Sequence, residues 1–315
     1  MAALQLIIIT VIIELITLIV TVHTYCVIIH SYSYMEHHKS KYQQALDAVP
    51  EETLAKWKQQ QDELKSKLIL ADMHAFHIDD SLHTTLKCIG GMDISVSKRS
   101  DTYGIASLVV CDPQLNVLYQ KHNFINITEP YVPGFLAFRE VNHLEQLLND
   151  LNKYAPSLFP EVILIDGNGI YHNNAFGLAC HLGTLTDTCT IGCSKTVFNV
   201  DGINKKKVRD MTDKFTKKGE VALLKGDSGK TWGAAMKMTE DSVQPMIISV
   251  GNKIELNTAI NVVKLMTMYR VPEPVRLADK ISRKLLAEYE KRDFTKFDIE
   301  TYIKQNKHKL FDDLD

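Results

Sequence analysis

Three acidic residues stand where acids are costly, and their settings point to divalent-metal chemistry. Asp166 closes the run Glu161–Val162–Ile163–Leu164–Ile165–Asp166–Gly167–Asn168–Gly169–Ile170. The unbroken apolar stretch reads as a strand buried on both faces of a mostly parallel sheet. The glycines after it let the backbone turn tightly, at the strand end where ligands bind in open α/β sheets. An aspartate there either faces that gap or caps the next helix, and this stretch alone leaves both open. Asp93 lies inside Gly91–Met92–Asp93–Ile94–Ser95. Alternation puts Met92, Ile94 and Val96 on one face and Gly91, Asp93 and Ser95 on the other. A charge in mid-strand is expensive unless paired or metal-bound, the other reading being a partly solvated edge. Glu140 falls four residues after Leu136 and four before Leu144, on an apolar helical stripe. Taken alone it also reads as a stripe-edge glutamate paired with Arg139 or a lysine. Together the three converge from two strands and a helix. Mg²⁺ is commonly held by one or two carboxylates plus waters and substrate phosphates. Two such ions about 4 Å apart can clamp the attacking and leaving oxygens of a phosphoryl displacement. A metal-dependent nuclease or transferase is the chemistry this implies.

The elements that must position these acids are legible in order. A helix is expected over 50–70, as a solvated element preceding the core. Strand-like runs follow at Cys88–Ser97, Tyr103–Cys111 and Asn116–Asn126, with turn signals between them that predict an antiparallel meander. The loop Thr128–Gly134 leads into a helix over Phe135–Leu151, striped by Leu136, Val141, Leu144, Leu147, Leu148 and Leu151. After the Asp166 strand come a short helix, Phe176–Gly183, and a buried strand, Thr188–Cys193. Residues 195–241 read as loop-rich and partly basic. A strand at Met246–Val250, a helix at Asn257–Met268 and a charged helical tail from Asp279 complete the chain. The order predicts an α/β fold, a mixed five-stranded sheet with helices on both faces, and suits the ribonuclease-H-like arrangement.

With 45% hydrophobic and 23% charged residues in 315, the composition is that of an ordinary globular protein. A net charge of −2 excludes a global basic field, so any polyanion site must be local. Six cysteines without a C-x-x-C pair argue against a zinc ribbon or a disulfide scaffold. Residues 1–40 form a separate apolar segment, and 4–30 are long enough to span a bilayer. They read as a membrane anchor with the body in the cytosol, or as a spurious leader from a misplaced start. The expected location is cytoplasmic and also nuclear, anchored if the segment is genuine. The main domain is expected over 50–290 and a charged tail over 291–315.

Several strings resemble the endonuclease V family of inosine-directed nucleases. They include Gly91–Met92–Asp93–Ile94–Ser95, the run from Pro130 to Glu140 (PYVPGFLAFRE) and Ile165–Asp166–Gly167–Asn168–Gly169. The resemblance continues through His172, Phe176–Gly183, Gly192–Lys195, Gly226–Gly229 and Tyr269–Pro274, and covers roughly residues 50–290. It implies a ribonuclease-H-like fold and Mg²⁺ dependence, with Mn²⁺ as a substitute. It also implies hydrolysis of the second phosphodiester bond 3′ to inosine, leaving 5′-phosphate and 3′-hydroxyl ends. Asp93 and Asp166 become metal ligands, with Glu140 supporting them, and Asp279 matches a further acidic position of eukaryotic members. Tyr131 becomes a wedge, its loop stiffened by Pro130 and Pro133 and turned at Gly134, so that the ring can stack where a base is displaced. Lys195 reads as a contact to the scissile phosphate or a surface lysine, and His172 as a phosphate contact or a turn residue. Gly167, Asn168 and Gly169 are expected to line the base pocket with backbone groups. Asn252 stands where family members often carry a histidine, which puts full activity in doubt.

The leading expectation is a Mg²⁺-dependent endoribonuclease acting on inosine in single-stranded RNA. A deoxyinosine-directed DNA repair nuclease and an inosine-nucleic-acid binding protein impaired through Asn252 are the alternatives. Inosine-containing RNA or DNA is the expected partner, with the membrane a further one through residues 4–30; no protein partner is expected.

Overall fold

The computed structural model describes residues 45–291. The chain divides into two units, residues 1–50 and 51–315. The elements of the second unit are α1 (Glu51–Lys65), β1 (Ile89–Val96), β2 (Tyr103–Cys111), β3 (Val117–Asn126), α2 (Leu136–Tyr154), β4 (Val162–Asp166), α3 (Leu178–Leu185), β5 (Thr190–Ser194), α4 (Lys205–Thr212), β6 (Val221–Lys225), β7 (Thr231–Met236), β8 (Met246–Asn252), α5 (Leu256–Leu265) and α6 (Glu273–Glu290).

The described strands form one sheet of eight, in the order β3-β2-β1-β4-β5-β8-β7-β6, where five were expected. The expected core is there: the meander β1–β3 is antiparallel, and β1, β4 and β5 run parallel. β8 then joins β5 antiparallel, and β7 and β6 extend the sheet as a hairpin. That hairpin and α4 occupy the stretch read as loop. β6 carries one fully covered residue, Leu224, and exposes Leu223, so it lacks the apolar run or clean alternation that marks a strand.

Both faces are covered. One buried cluster joins Ile89, Ile105 and Leu164 to Val262 and Val263 of α5 and Ile281 and Leu285 of α6. The other joins Met92, Leu108, Ile163 and Ile165 to Leu144, Leu147 and Leu148 of α2. The alternation of β1 is thus realised: Met92 points to α2, while Gly91, Asp93 and Ser95 point to α6. Gly91 is what brings α6 so near, since a Cβ there would lie 2.1 Å from the Pro274 carbonyl carbon. The helix expected to be solvated, α1, is instead anchored: Trp57 and Gln61 are buried. Trp57 stacks on Phe138 with ring centres 5.3 Å apart.

Among the described residues no helix is long and apolar enough to cross a membrane. This corrects the expectation of a membrane-anchored nuclease and of the membrane as a partner. The segment on which it rested, 4–30, lies outside the described residues, as does most of the tail 291–315.

Candidate metal centre and wedge loop

Asp166 ends β4 and Asp93 sits one strand away on β1, its side chain turned to the α6 face. Asp279 comes from the second turn of α6. Carboxylate oxygens of these three lie within 4.8 Å of one another. Glu140, expected to support Asp93 and Asp166 at the metal, is not in that group; Asp279, expected as a further acidic position, is. The helix closing over Gly91 delivers Asp279, and no spacing in the sequence could reveal that approach.

Crowding shows in the electrostatics. The carboxyl of Asp93 is pushed up to about 7, first by burial and then by the charges of Asp166 and Asp279. Glu140 is pushed up to about 8, by burial and then by Asp93, with Asp166 adding to the effect. The neighbouring acids raise both values, so Glu140 stands beside the cluster as a supporting group. Lys195, following β5, places its Nζ 2.7 Å from Asp166 and 3.9 Å from Asp279. Arg283 Nε lies 2.7 Å from the other oxygen of Asp279. Two cations for this many carboxylates leave the cluster short of positive charge. Hard oxygen donors gathered at this spacing fit a cation of the Mg²⁺ or Mn²⁺ kind. An open groove of about 600 Å³, lined in part by Asp93, Asp166, Asp279, Lys98 and Arg283, gives access to them.

Two serines that the sequence did not single out as functional hold Asp93 in place. Ser282 Oγ donates to Asp93 Oδ2 at 3.0 Å, and Ser95 Oγ donates to the same oxygen at 3.3 Å. The two hydroxyls are 2.6 Å apart. Ser282 follows Asp279 by three residues, one turn along the same helix face, and that spacing was a usable signal.

The loop that carries Tyr131 is set from below. Tyr131 is 57% exposed, in keeping with a ring free to stack. Pro130 is exposed beside it and Pro133 half-buried. Gly134, at φ +87°, makes the turn into α2. Its carbonyl accepts from Gln61 Nε2 at 3.2 Å and from Asn174 Nδ2 at 3.1 Å. Asn174 also donates to Gln61 Oε1 at 2.7 Å, so α1, the Tyr131 loop and the 172–175 turn are tied together. Gln61 and Asn174 are residues the sequence reading missed, because nothing local distinguishes them.

The glycine-rich turn after Asp166 is built differently from expectation. Gly169 N donates to Ser249 Oγ at 2.8 Å and Gly167 N to the Cys193 carbonyl at 3.3 Å. Those amides are spent inside the protein. A Cβ on Gly169 would lie 1.9 Å from the Val250 carbonyl oxygen, so glycine is required by the close approach of β8. What the turn does leave open is Asn168 Oδ1, buried with no hydrogen-bond partner. His172 is buried and held well below its usual range, at about 4, chiefly by burial. A neutral ring whose Nδ1 accepts from Asn174 N at 3.3 Å belongs to the turn and carries no charge for a phosphate.

Asn252 lies away from the acids. It pairs with Thr190 at the start of β5, whereas Asp166 pairs with Cys193 three residues on. Its Oδ1 accepts from Ile69 N at 3.1 Å, and its Nδ2 donates to the Gly183 and Thr188 carbonyls at 2.9 and 3.0 Å. It fastens the chain before β1 to the α3–β5 turn, so its side-chain bonding capacity is used structurally.

Comparison with known proteins agrees with this geometry. The Endonuclease V family model matches residues 72–280. Endonuclease V of Homo sapiens is 40% identical over 246 residues, covering 76% of this chain and 86% of that protein. The crystal structure of the catalytic domain of human Endonuclease V superposes with a TM-score of 0.74 at 38% identity, covering 76% of this chain and 98% of that one. A point variant of Ciona intestinalis Endonuclease V, in complex with a 23mer DNA containing an inosine followed by a ribo-adenosine, matches with a TM-score of 0.69 at 31% identity. That pair covers 76% of this chain and 99% of the Ciona chain. Shared fold and clustered acids lead to one conclusion: this chain belongs to the Endonuclease V family of metal-dependent nucleases, whose fold is ribonuclease-H-like.

Proposed function

We propose that the protein cuts single-stranded RNA at inosine, at the second phosphodiester bond on its 3′ side, leaving 5′-phosphate and 3′-hydroxyl ends. Asp93, Asp166 and Asp279 would hold Mg²⁺, or Mn²⁺ in its place, and the observation that carries this reading is their convergence within 4.8 Å. A cation bound there would offset the charge that builds on the phosphate and on the leaving 3′-oxygen. The chain's own residues do the rest. Ser95 and Ser282 fix which oxygen of Asp93 faces the site. Lys195 exchanges its bond to Asp166 for a non-bridging oxygen of the scissile phosphate. Glu140, with a carboxyl near 8, can take up or release a proton at neutral pH. Tyr131 stacks into the gap that a displaced base leaves. The bare Oδ1 of Asn168 is a buried acceptor suited to the N1–H of hypoxanthine, where adenine presents a lone pair.

The strand bound by the Ciona relative, with an inosine followed by a ribo-adenosine, supports a ribonucleotide on the 3′ side of the base. The remainder of that strand is DNA, which keeps deoxyinosine repair as the second reading. The test uses 5′-labelled single strands of RNA and DNA, each with one inosine, against inosine-free controls. Inosine-dependent cutting of RNA above DNA, lost in Asp93→Ala, is the expected result. Preferential cutting of DNA would assign the protein to repair, and cutting that ignores inosine would overturn the proposal.

A further inference from the structure

A second cleft meets the metal centre at Lys195, and basic side chains line it. It has a volume of about 440 Å³ and is lined in part by Lys195, Lys205, Arg209, Asp213, Val243 and Pro245. Lys195 is the shared residue, since the same ammonium bonds Asp166 in the metal centre. Beyond it, Lys205 and Arg209 stand four apart on α4 and so share one face. Among the described residues neither has a carboxylate within ion-pairing distance, whereas Lys207 between them is taken by Asp227 at 3.0 Å. Val243, which also lines the cleft, is 95% exposed.

The helix that presents these charges is held firmly. Asn204 caps it by accepting from Lys207 N at 3.0 Å, and Val208 is buried beneath it. Asp201, just before the helix, accepts from Ser228 N at 3.1 Å and Trp232 Nε1 at 2.8 Å, which locks α4 to the β6–β7 hairpin. Two unpaired cations on a braced helix form a preset surface for a polyanion. They also meet a need: the acid cluster repels phosphates, and the chain's net charge of −2 supplies no general attraction.

We propose that this cleft carries the sugar–phosphate backbone of the nucleic-acid strand on one flank of the scissile bond. Lys205 and Arg209 contact successive phosphates, and Val243 packs on a sugar or base. The proposal rests on the nuclease reading and deepens it, by naming where the strand runs.

Binding of a labelled, inosine-free single strand of about 25 nucleotides, followed by anisotropy across a salt series, tests this separately from cleavage. Lys205→Ala/Arg209→Ala is compared with Lys206→Ala/Lys214→Ala, which removes equal charge from the groove on the other side of α4. The first pair should weaken binding about tenfold at low salt and reduce the log–log salt slope by about 1.4, two contacts at roughly 0.7 each. The second pair should change both by far less. Equal losses in the two double variants, or no loss in the first, would overturn the cleft assignment. A wild-type protein that binds the strand but shows no inosine-dependent cutting would count against the substrate reading alone, and the comparison of variants would still decide the cleft.

Discussion

Asp93 is the residue on which the site's energetics turn. Its carboxyl is buried, bonded by two hydroxyls and surrounded by acids, an arrangement that favours function over stability. Asp93→Asn keeps an acceptor for Ser282 and removes a charge from the cluster. In metal-free buffer at pH 8 it should raise the melting temperature by several degrees while abolishing cutting; thermal melts of the two proteins check this. Asn252 makes the opposite case, a polar residue whose whole capacity is used structurally. Asn252→His should leave cutting no better and cost about 1–3 kcal/mol in urea unfolding, since three bonds are lost and Gly183 offers no room. At this scale the sequence exposed the residues that break a local pattern. Asp93, in a strand between Met92 and Ile94, was such a residue. It hid Gln61 and Asn174, which look ordinary in their own segments.

At the scale of elements, α1 and α6 decide the geometry. α6 approaches β1 because Gly91 has no side chain, and with it come Asp279 and Ser282. α1 buries Trp57 against Phe135 and Phe138 and ties Gln61 to Gly134, so it serves as a strut under the Tyr131 loop. Gln61→Ala leaves the Gly134 carbonyl with one partner and Asn174 with one fewer. The expected outcome is a loss of about 1–3 kcal/mol in stability, from the unmade bonds. Cutting at inosine should fall about tenfold with the metal affinity unchanged, read by steady-state kinetics beside a cation titration. Strands with dense apolar runs, such as Val162–Asp166, could be read directly from sequence. The β6–β7 hairpin could not, because it draws its stability from pairing with β8 and from the Asp201 brace, both contacts between distant residues.

The whole molecule sets two groups of titrating residues against each other. His122, His172 and His181 are buried and depressed, to about 3, 4 and 4. Their folded values lie below the unfolded value of about 6.5, so stability is complete above pH 6.5 and drains away as the pH falls. Asp93 and Glu140 run the other way: their folded values, about 7 and 8, exceed the unfolded ones. Their contribution is full at low pH and is lost as the pH rises through 7 and 8. Without a cation the two effects oppose one another between pH 5 and 6.5, and the melting temperature should change little there. With saturating Mg²⁺ the acids are held ionised, and lowering the pH from 7.5 to 5 should depress the melting temperature markedly. The sheet's mixed order and its helices on both faces follow from apolar periodicity, and the sequence displays that. The closing of the acid cluster belongs to the assembled molecule, since its three carboxylates lie far apart in the chain.

The central claim is that Asp93, Asp166 and Asp279 together hold a divalent cation, and calorimetric titration with Mn²⁺ at pH 7.5 tests it most directly. The wild-type protein should bind the cation and release protons as it does so, seen as a buffer-dependent heat, and Asp93→Asn and Asp279→Asn should each lose that binding. Binding in either variant as tight as in the wild type would contradict the account.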